Sequence, residues 1–244
     1  MPIQDLQHSD YRIRKLIGSL GLALPILLPI ASNQFLASIS HYYYSTLSSL
    51  LFIIILSAFG LFLISYKGYK KDIETETISD DFLTNIGGFA ALIVVFIPTV
   101  CEESMSTYIS LLCENENLPL FGHNNPTLGT IHLVSAGVFI FCMGWMSKYK
   151  FTRGRNTKFN TLYRRCGTIV FIAVALIIVG VILEKLHIDF FINNYYVFIF
   201  ETVAVFAFGV SWLVKGKAIE NIVAFKNEVV GTSENDNTEN KEDS

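Results

Sequence analysis

The chain has 244 residues, of which 52% are hydrophobic and only 16% are charged, and its formal net charge at pH 7 is -3. This composition excludes an ordinary soluble domain, because a soluble core of this size does not need so many apolar residues. The slightly acidic balance also argues against nucleic acid as a partner.

Long apolar blocks follow one another along the sequence. They cover residues 16–30, 44–66, 82–101, 128–147, 166–183 and 190–214. A helix that crosses the hydrocarbon core needs about 20 residues, and these blocks are apolar on all sides instead of alternating with period two, which favours helices over a barrel. We therefore predict an all-α, polytopic membrane bundle of six transmembrane helices, formed by residues 16–217 after an N-terminal segment 1–15.

The segment SNQFLASISHYYYS lies in the middle of the uncharged stretch 16–66. That stretch is too long for one crossing, and the segment brings polar and aromatic residues to the place where a hairpin would turn. Two helices are predicted, with His41, Tyr43 and Tyr44 near their connection.

Lys and Arg residues divide unequally between the two sides that six crossings define. All of them except Lys185 fall in the N-terminus, the second and fourth loops or the C-terminal tail, which share one side. Because positive residues accumulate in cytoplasmic loops, both termini are predicted to be cytoplasmic. The sequence has no permitted Asn-x-Ser/Thr acceptor, which fits a bacterial inner membrane.

The third loop, residues 102–130, is the longest segment on the outer side and contains acidic residues that include Glu102. Cys101 and Cys113 also fall on this side. A disulfide between them would close a short loop in an oxidising compartment, and the alternative is two unpaired thiols.

The fourth loop, KYKFTRGRNTKFNTLYRR, carries seven positive and no negative residues. This composition fits a topology anchor and also predicts contact with anionic lipid headgroups at the cytoplasmic face. The candidate residues are Lys148, Lys150, Arg153, Arg155, Lys158, Arg164 and Arg165.

Beyond the last span, residues 218–231 could form an interfacial helix. Residues 232–244 read TSENDNTENKEDS, and this acidic tail has no apolar residue to bury, so it is predicted to be disordered.

Glu201 is the charged residue of the last apolar block. It follows the interfacial markers Tyr195 and Tyr196 by about six residues, which places it about 9 Å below the outer boundary. An ionisable group at that depth costs about 2 to 3 kcal/mol on insertion scales, so it should face the bundle and find a partner. His132 is the predicted partner, because it opens the fourth span from the same side, where Ala136 and Gly137 would let another helix approach.

Two interpretations of Glu201 and His132 remain open. They form a proton-transfer or ligand-binding pair that lines an outward-facing cavity, with His41, Tyr43, Tyr44 and Glu102 near its mouth, or they form a hydrogen-bonded structural contact between helices. The His and acidic residues could supply three or four zinc ligands, but their spacing is not diagnostic of a zinc site, so no metal and no cofactor is predicted.

Several short patterns together resemble a family of small bacterial polytopic membrane proteins without an assigned activity: SISHYYYS, YKGY, FIPT, IHLVSAG and FETVAVFAFGVSWLVKG. The resemblance spans most of residues 38–217, and it implies that Pro98, His132 and Glu201 lie in recurring patterns of the family. A more distant likeness is to membrane hydrolases of the alkaline ceramidase type, whose HxxxH pair this chain lacks.

The leading hypothesis is a non-enzymatic carrier, receptor or sensor that binds a small or lipidic ligand around Glu201 and His132. One alternative is a membrane-embedded hydrolase or transferase acting on the outer leaflet, with His132 as the base. Another is a structural or assembly subunit whose partners contact the basic fourth loop.

Overall fold

The computed structural model of the protein describes residues 8–69, 76–101, 107–114, 118–153, 158–187 and 195–217. Within these ranges all regular structure is helical. The predicted interfacial helix 218–231 and tail 232–244 lie outside the described residues, as do Glu102 and Arg155.

Seven α-helices are present in the described part of the chain. They are α1 (His8–Ser32), α2 (Thr46–Ser65), α3 (Asp80–Phe96), α4 (Thr107–Glu114), α5 (Pro126–Trp145), α6 (Asn160–Lys185) and α7 (Tyr196–Lys215). A 3₁₀ helix (Ile39–Tyr44) lies between α1 and α2, and a π-helical turn (Met146–Lys150) extends α5. The all-helical prediction is confirmed.

Five of these helices are long and apolar enough to cross a membrane: α1, α2, α5, α6 and α7. Helix α3 has 17 residues and a length of about 26 Å, against about 30 Å for a typical hydrocarbon core. The predicted block 82–101 is longer than α3 because Pro98 disfavours helical geometry at Ile97, where the helix ends.

The six long helices pack side by side in chain order, and α7 closes the ring against α1. The interior of this ring is filled by aromatic side chains. Phe59 of α2, Phe139 of α5 and Phe208 of α7 contact one another, with ring centroids 5.7 to 6.1 Å apart. All three side chains are buried, so the middle of the bundle is a packed core.

Glycine pairs bring neighbouring helices into backbone contact. A Cβ added to Gly18 of α1 would lie 2.8 Å from the carbonyl oxygen of Gly209 in α7, and one added to Gly88 of α3 would lie 2.7 Å from the carbonyl oxygen of Gly60 in α2. Gly137, by contrast, has nothing within 4 Å of an added Cβ. The predicted close approach of a helix at Gly137 is therefore wrong, and other glycines serve that purpose.

The bundle has two chemically different ends. The end that holds Arg14, Lys150 and Lys215 is called the basic end. There the start of α1 meets the end of α7, and the Arg14 guanidinium lies 3.5 Å from the carbonyl oxygen of Lys215. At the connector end lies the α1–α2 connector, defined as residues 33–45. Phe198 lies in the first turn of α7, where backbone N–H groups have no partner within the helix, and its N–H donates to the carbonyl of Ala37 in the connector at 2.9 Å.

Candidate functional site

Glu201 lies in the second turn of α7 and is bonded to the connector. Its carboxylate accepts the backbone N–H of Ile39 at 2.7 Å and the hydroxyl of Ser38 at 3.0 Å. Ser38 has extended backbone geometry and opens the 3₁₀ helix, so the N–H of the next residue is free to donate outside the turn. The Glu201 carboxylate, which interrupts the last apolar block, is thus bonded to polar groups of the connector.

His132 lies in the second turn of α5 and is 3% exposed. Its Nδ1 is 2.7 Å from the carbonyl oxygen of Ile97 and its Nε2 is 2.8 Å from the hydroxyl of Ser40. Because a carbonyl oxygen only accepts, Nδ1 must carry a proton. In the neutral ring Nε2 then accepts the hydroxyl proton of Ser40.

The predicted direct pairing of Glu201 with His132 is not what the structure shows. The two side chains are joined through the connector, since the backbone N–H of Ser40 donates to the hydroxyl of Ser38 at 3.2 Å. A polar chain therefore runs from Glu201 through Ser38 and Ser40 to His132. These four residues are called the polar chain. It links α7 to α5 and, through Ile97, to the end of α3.

Ser38 and Ser40 were not among the site residues predicted from the sequence. Their signal was present in the SISH segment, where two hydroxyls alternate with Ile39 between two apolar spans. Any hairpin connection rich in serine looks similar, so only the path of the connector identifies these two as the partners.

His41 stands beside the polar chain. Its Nδ1 is buried without a hydrogen-bond partner among the described residues. Burial lowers the pKa of His41 to about 4, and the nearby His132 lowers it further toward that value. The ring is therefore neutral at physiological pH.

Tyr43 and Tyr44 were expected near the mouth of a cavity, but they are fully buried. The Tyr43 hydroxyl donates to the carbonyl of Leu120, and the Tyr44 hydroxyl donates to the carbonyl of Thr99. Burial raises the pKa of Tyr44 to about 12. Both tyrosines fasten the connector to the segment that follows α3.

A disulfide joins Cys101 to Cys113 of α4, with Cα atoms 5.7 Å apart. The backbone N–H of Cys101 also donates to the carbonyl of His123 at 3.0 Å. Along the chain, the disulfide therefore lies between Thr99 and Leu120, whose carbonyls accept the hydroxyls of Tyr44 and Tyr43.

The basic fourth loop is only partly available for lipid. Lys150 is 5% exposed, donates to the carbonyl of Ile78 and pairs with Glu76 and Asp80, and Arg153 pairs with the same two carboxylates. Acidic residues before and at the start of α3 thus engage both cations within the bundle, and lipid contact at these two positions stays a prediction.

The other described cations of that loop have different surroundings. The Lys148 ammonium lies over the rings of Tyr149 and Phe171, at 5.7 and 5.5 Å. Lys158 is exposed beside Phe159, and Arg164 and Arg165 are exposed on α6. These last three remain candidates for contact with anionic headgroups.

Two shallow hollows of the described surface lie along α6 and α7. One is lined by Arg164, Arg165, Thr168 and Ile169, and the other by Cys166, Ile169, Val203, Phe206, Ala207 and Val210. Neither is lined by Glu201 or His132, so the cavity expected there does not coincide with these hollows. Among the described residues, no three His, Cys, Asp or Glu side chains are grouped to hold a metal.

Comparison with protein-family models, with curated proteins and with solved structures finds no match to this chain.

Proposed function

We propose that this protein is a non-enzymatic receptor, carrier or sensor of the bacterial inner membrane that responds to a small or lipidic ligand at the polar chain. In this proposal six helices cross the bilayer, both termini are cytoplasmic and the connector end faces the periplasm. The five long apolar helices support a membrane location, and α3 is the sixth crossing.

Two independent features support this orientation. Arg14, Lys150 and Lys215 lie at the basic end, which suits the cytoplasmic side. The disulfide lies at the connector end, and disulfides persist in oxidising compartments such as the periplasm.

The observation that carries the function is the hydrogen bonding of the connector to Glu201, a carboxylate that this proposal places within the membrane. Glu201 holds Ser38 and Ile39, and His132 holds Ser40, so a few hydrogen bonds position the whole segment. A ligand with its own hydrogen-bond donor, such as an amine or hydroxyl group, would compete for Glu201 and release the connector. Ionisable groups inside membrane helices are rare and often mark functional sites, which supports the same interpretation.

The first experiment looks for the ligand directly. Wild-type protein, Glu201→Gln and Glu184→Gln are purified in parallel, and molecules that co-purify are identified by mass spectrometry. Glu184 is a matched control because it is an exposed glutamate at the same end of the bundle, where it accepts the Tyr196 hydroxyl at 3.2 Å. We expect a molecule that is retained by wild type and the control and lost from Glu201→Gln.

The second experiment follows the connector by hydrogen exchange. Adding the identified molecule to wild-type protein from which it has been removed should speed exchange of the Ile39 amide, whose acceptor is displaced, and of the Ser40 amide, because the connector is released. Unchanged exchange of these amides, or equal retention of the molecule by Glu201→Gln, would contradict the proposed function. Protease mapping of tagged termini tests the topology separately, and opposite faces for the two ends would exclude it.

A further inference from the structure

The basic end holds a buried cluster of charged and aromatic side chains that the proposed function does not use. Four cations and two carboxylates meet there: Arg14, Lys150, Arg153, Lys215, Glu76 and Asp80. The two carboxylates pair with Lys150 and Arg153. Among the residues that the structure describes, four positive charges meet two negative ones, and Arg14 and Lys215 are the two cations of this cluster without a salt bridge.

Arg14 is fully buried and pairs with no carboxylate of the described residues. Its Nε and one terminal nitrogen donate to the hydroxyl of Tyr66, and the other terminal nitrogen reaches the carbonyl of Lys215 at 3.5 Å. A guanidinium has five N–H groups, and the Tyr69 side chain also hydrogen-bonds Arg14, so one of the five has no acceptor among the described residues. A buried charge without an opposite charge is costly unless something compensates it.

Lys215 also has more hydrogen-bond donors than acceptors among the described residues. Its ammonium donates to the carbonyls of Phe151 and Arg153 at 2.7 and 3.3 Å, which uses two of its three protons. The rings of Tyr69, Phe151 and Tyr163 surround it with centroids 5.3 to 5.9 Å away. These rings weaken its contact with water without supplying a negative charge.

Trp212 provides an independent observation. Its side chain is fully buried, and its indole N–H has no hydrogen-bond partner among the described residues. The ring contacts Tyr66 and Phe151, with centroids 5.4 and 5.0 Å away. The same two rings lie against the Arg14 guanidinium, at 5.3 and 5.8 Å. A buried donor that lacks an acceptor therefore belongs to the same cluster as the unpaired charge.

We propose that the basic end binds a phosphate group through Arg14, Lys215 and the indole N–H of Trp212. A phosphate supplies negative charge to balance these two cations and several acceptor oxygens for the unused donors, and its geometry suits a guanidinium. The group belongs either to a free phosphate-bearing solute or to the headgroup of an anionic lipid. The side chain of Arg153 is 25% exposed and Tyr69 is half-buried, so the cluster reaches the surface at this end.

The test uses the indole itself as the reporter. The chain has two tryptophans, so Trp145→Phe leaves Trp212 as the single one. Fluorescence of this variant is recorded in phosphatidylcholine nanodiscs during titration with inorganic phosphate, and again in nanodiscs that contain phosphatidic acid. We expect a saturable change in at least one of the two series. A change with inorganic phosphate identifies a soluble source, and a change with phosphatidic acid alone identifies a headgroup.

Substitutions then assign the site. In the Trp145→Phe background, Arg14→Gln should weaken binding by at least about tenfold, since it removes a charged hydrogen-bond donor. Arg12→Gln is the matched control, because Arg12 is exposed on the same helix and carries the same charge. It should change binding by less than about twofold.

A second variant covers the case in which Arg14→Gln does not fold. Trp212→Phe keeps an aromatic ring and removes only the indole N–H, and phosphate-dependent thermal stabilisation replaces fluorescence as the readout. Binding should weaken by about threefold to tenfold. A protein that responds neither to phosphate nor to phosphatidic acid, or an Arg12→Gln effect equal to that of Arg14→Gln, overturns the proposal.

Discussion

Ser38 and Ser40, two residues apart in one 3₁₀ turn, hold two different helices: the hydroxyl of Ser38 binds Glu201 of α7, and that of Ser40 binds His132 of α5. The backbone N–H of Ser40 also donates to the Ser38 hydroxyl. Movement of the turn therefore changes the environment of both ionisable groups together.

Replacing Glu201 by alanine should destabilise the protein more than replacing it by glutamine. Alanine leaves the N–H of Ile39 and the hydroxyl of Ser38 without their acceptor, at a cost of about 1 to 3 kcal/mol, whereas the glutamine carbonyl can still accept. Denaturant unfolding in detergent measures the difference. Equal stability of Glu201→Ala and wild type would show that these hydrogen bonds do not hold the connector.

The polar chain should behave as one unit in a double-mutant cycle. Ser38→Ala removes a donor to Glu201 and Ser40→Ala removes the partner of His132, so each single change should cost about 1 kcal/mol. Combining Ser38→Ala with Glu201→Gln should show a coupling energy of about 0.5 kcal/mol or more. Ser32→Ala is the control, because within the described part of the chain the Ser32 hydroxyl bonds to Pro29 and Gln34, both close to it in sequence. If the effects of Ser38→Ala and Glu201→Gln on stability simply added, this result would contradict the polar chain.

His41 should make stability depend on pH. Burial lowers its pKa from 6.5 to about 4, so between these values the unfolded state binds more protons than the folded state. The neutral His41 ring therefore leaves the free energy of unfolding at its full value above about pH 6.5. As the pH falls toward 4, this free energy decreases by up to about 3 kcal/mol. His41→Phe should flatten the unfolding profile in this window.

The control for His41 is His187→Asn. His187 is exposed and has a φ of 56°, a conformation that asparagine tolerates. Its profile should match that of wild type, and a His41→Phe profile as steep as wild type would show that His41 does not titrate as expected.

Removing the disulfide should lower the stability of the protein. Changing Cys101 and Cys113 to serine frees a loop with a sequence separation of 12, which corresponds to about 3 kcal/mol in the chain-entropy account. Unfolding with and without reductant measures the effect. Reductant should lower the stability of wild type and leave the double serine variant unchanged, and an equal response of both proteins would place the effect elsewhere.

The contact between α1 and α7 should not tolerate a single methyl group at Gly18. A Cβ there would lie 2.6 Å from the Leu213 side chain and 2.8 Å from the Gly209 carbonyl, so Gly18→Ala should cost about 1 to 3 kcal/mol. Gly137→Ala is the matched control in open space, and it should raise stability by up to about 1 kcal/mol through helix propensity. Thermal unfolding in detergent compares them, and the reverse order would refute this packing.

Much of the helix content followed from local sequence. An apolar run of sufficient length must satisfy its backbone internally once it enters lipid, so α2 could be predicted within about two residues, whereas the starts of α6 and α7 were predicted about six residues away. The early end of α3 was missed because the predicted block followed hydrophobicity through Pro98. The short helix α4 was not predicted, because it lies in a loop without a long apolar run.

The partners of the polar groups could not be predicted in the same way. The sequence indicates that Glu201 needs a partner, but the choice between His132 and Ser38 depends on how far each helix is rotated about its axis and where the connector runs. The same reason explains why Lys150 is buried in ion pairs while Arg164 is exposed.

The sequence by itself determined the helices, the presence of an acid in an apolar span and the segregation of positive charge, because each depends on the chemistry of neighbouring residues along one chain. Only the tertiary structure decided that Ser38 binds Glu201 and Ser40 binds His132. It also decided that Arg14 and Trp212 share a buried cluster. Hydrogen bonds and ion pairs act over about 3 to 4 Å, and which residues approach so closely is settled only when the helices pack.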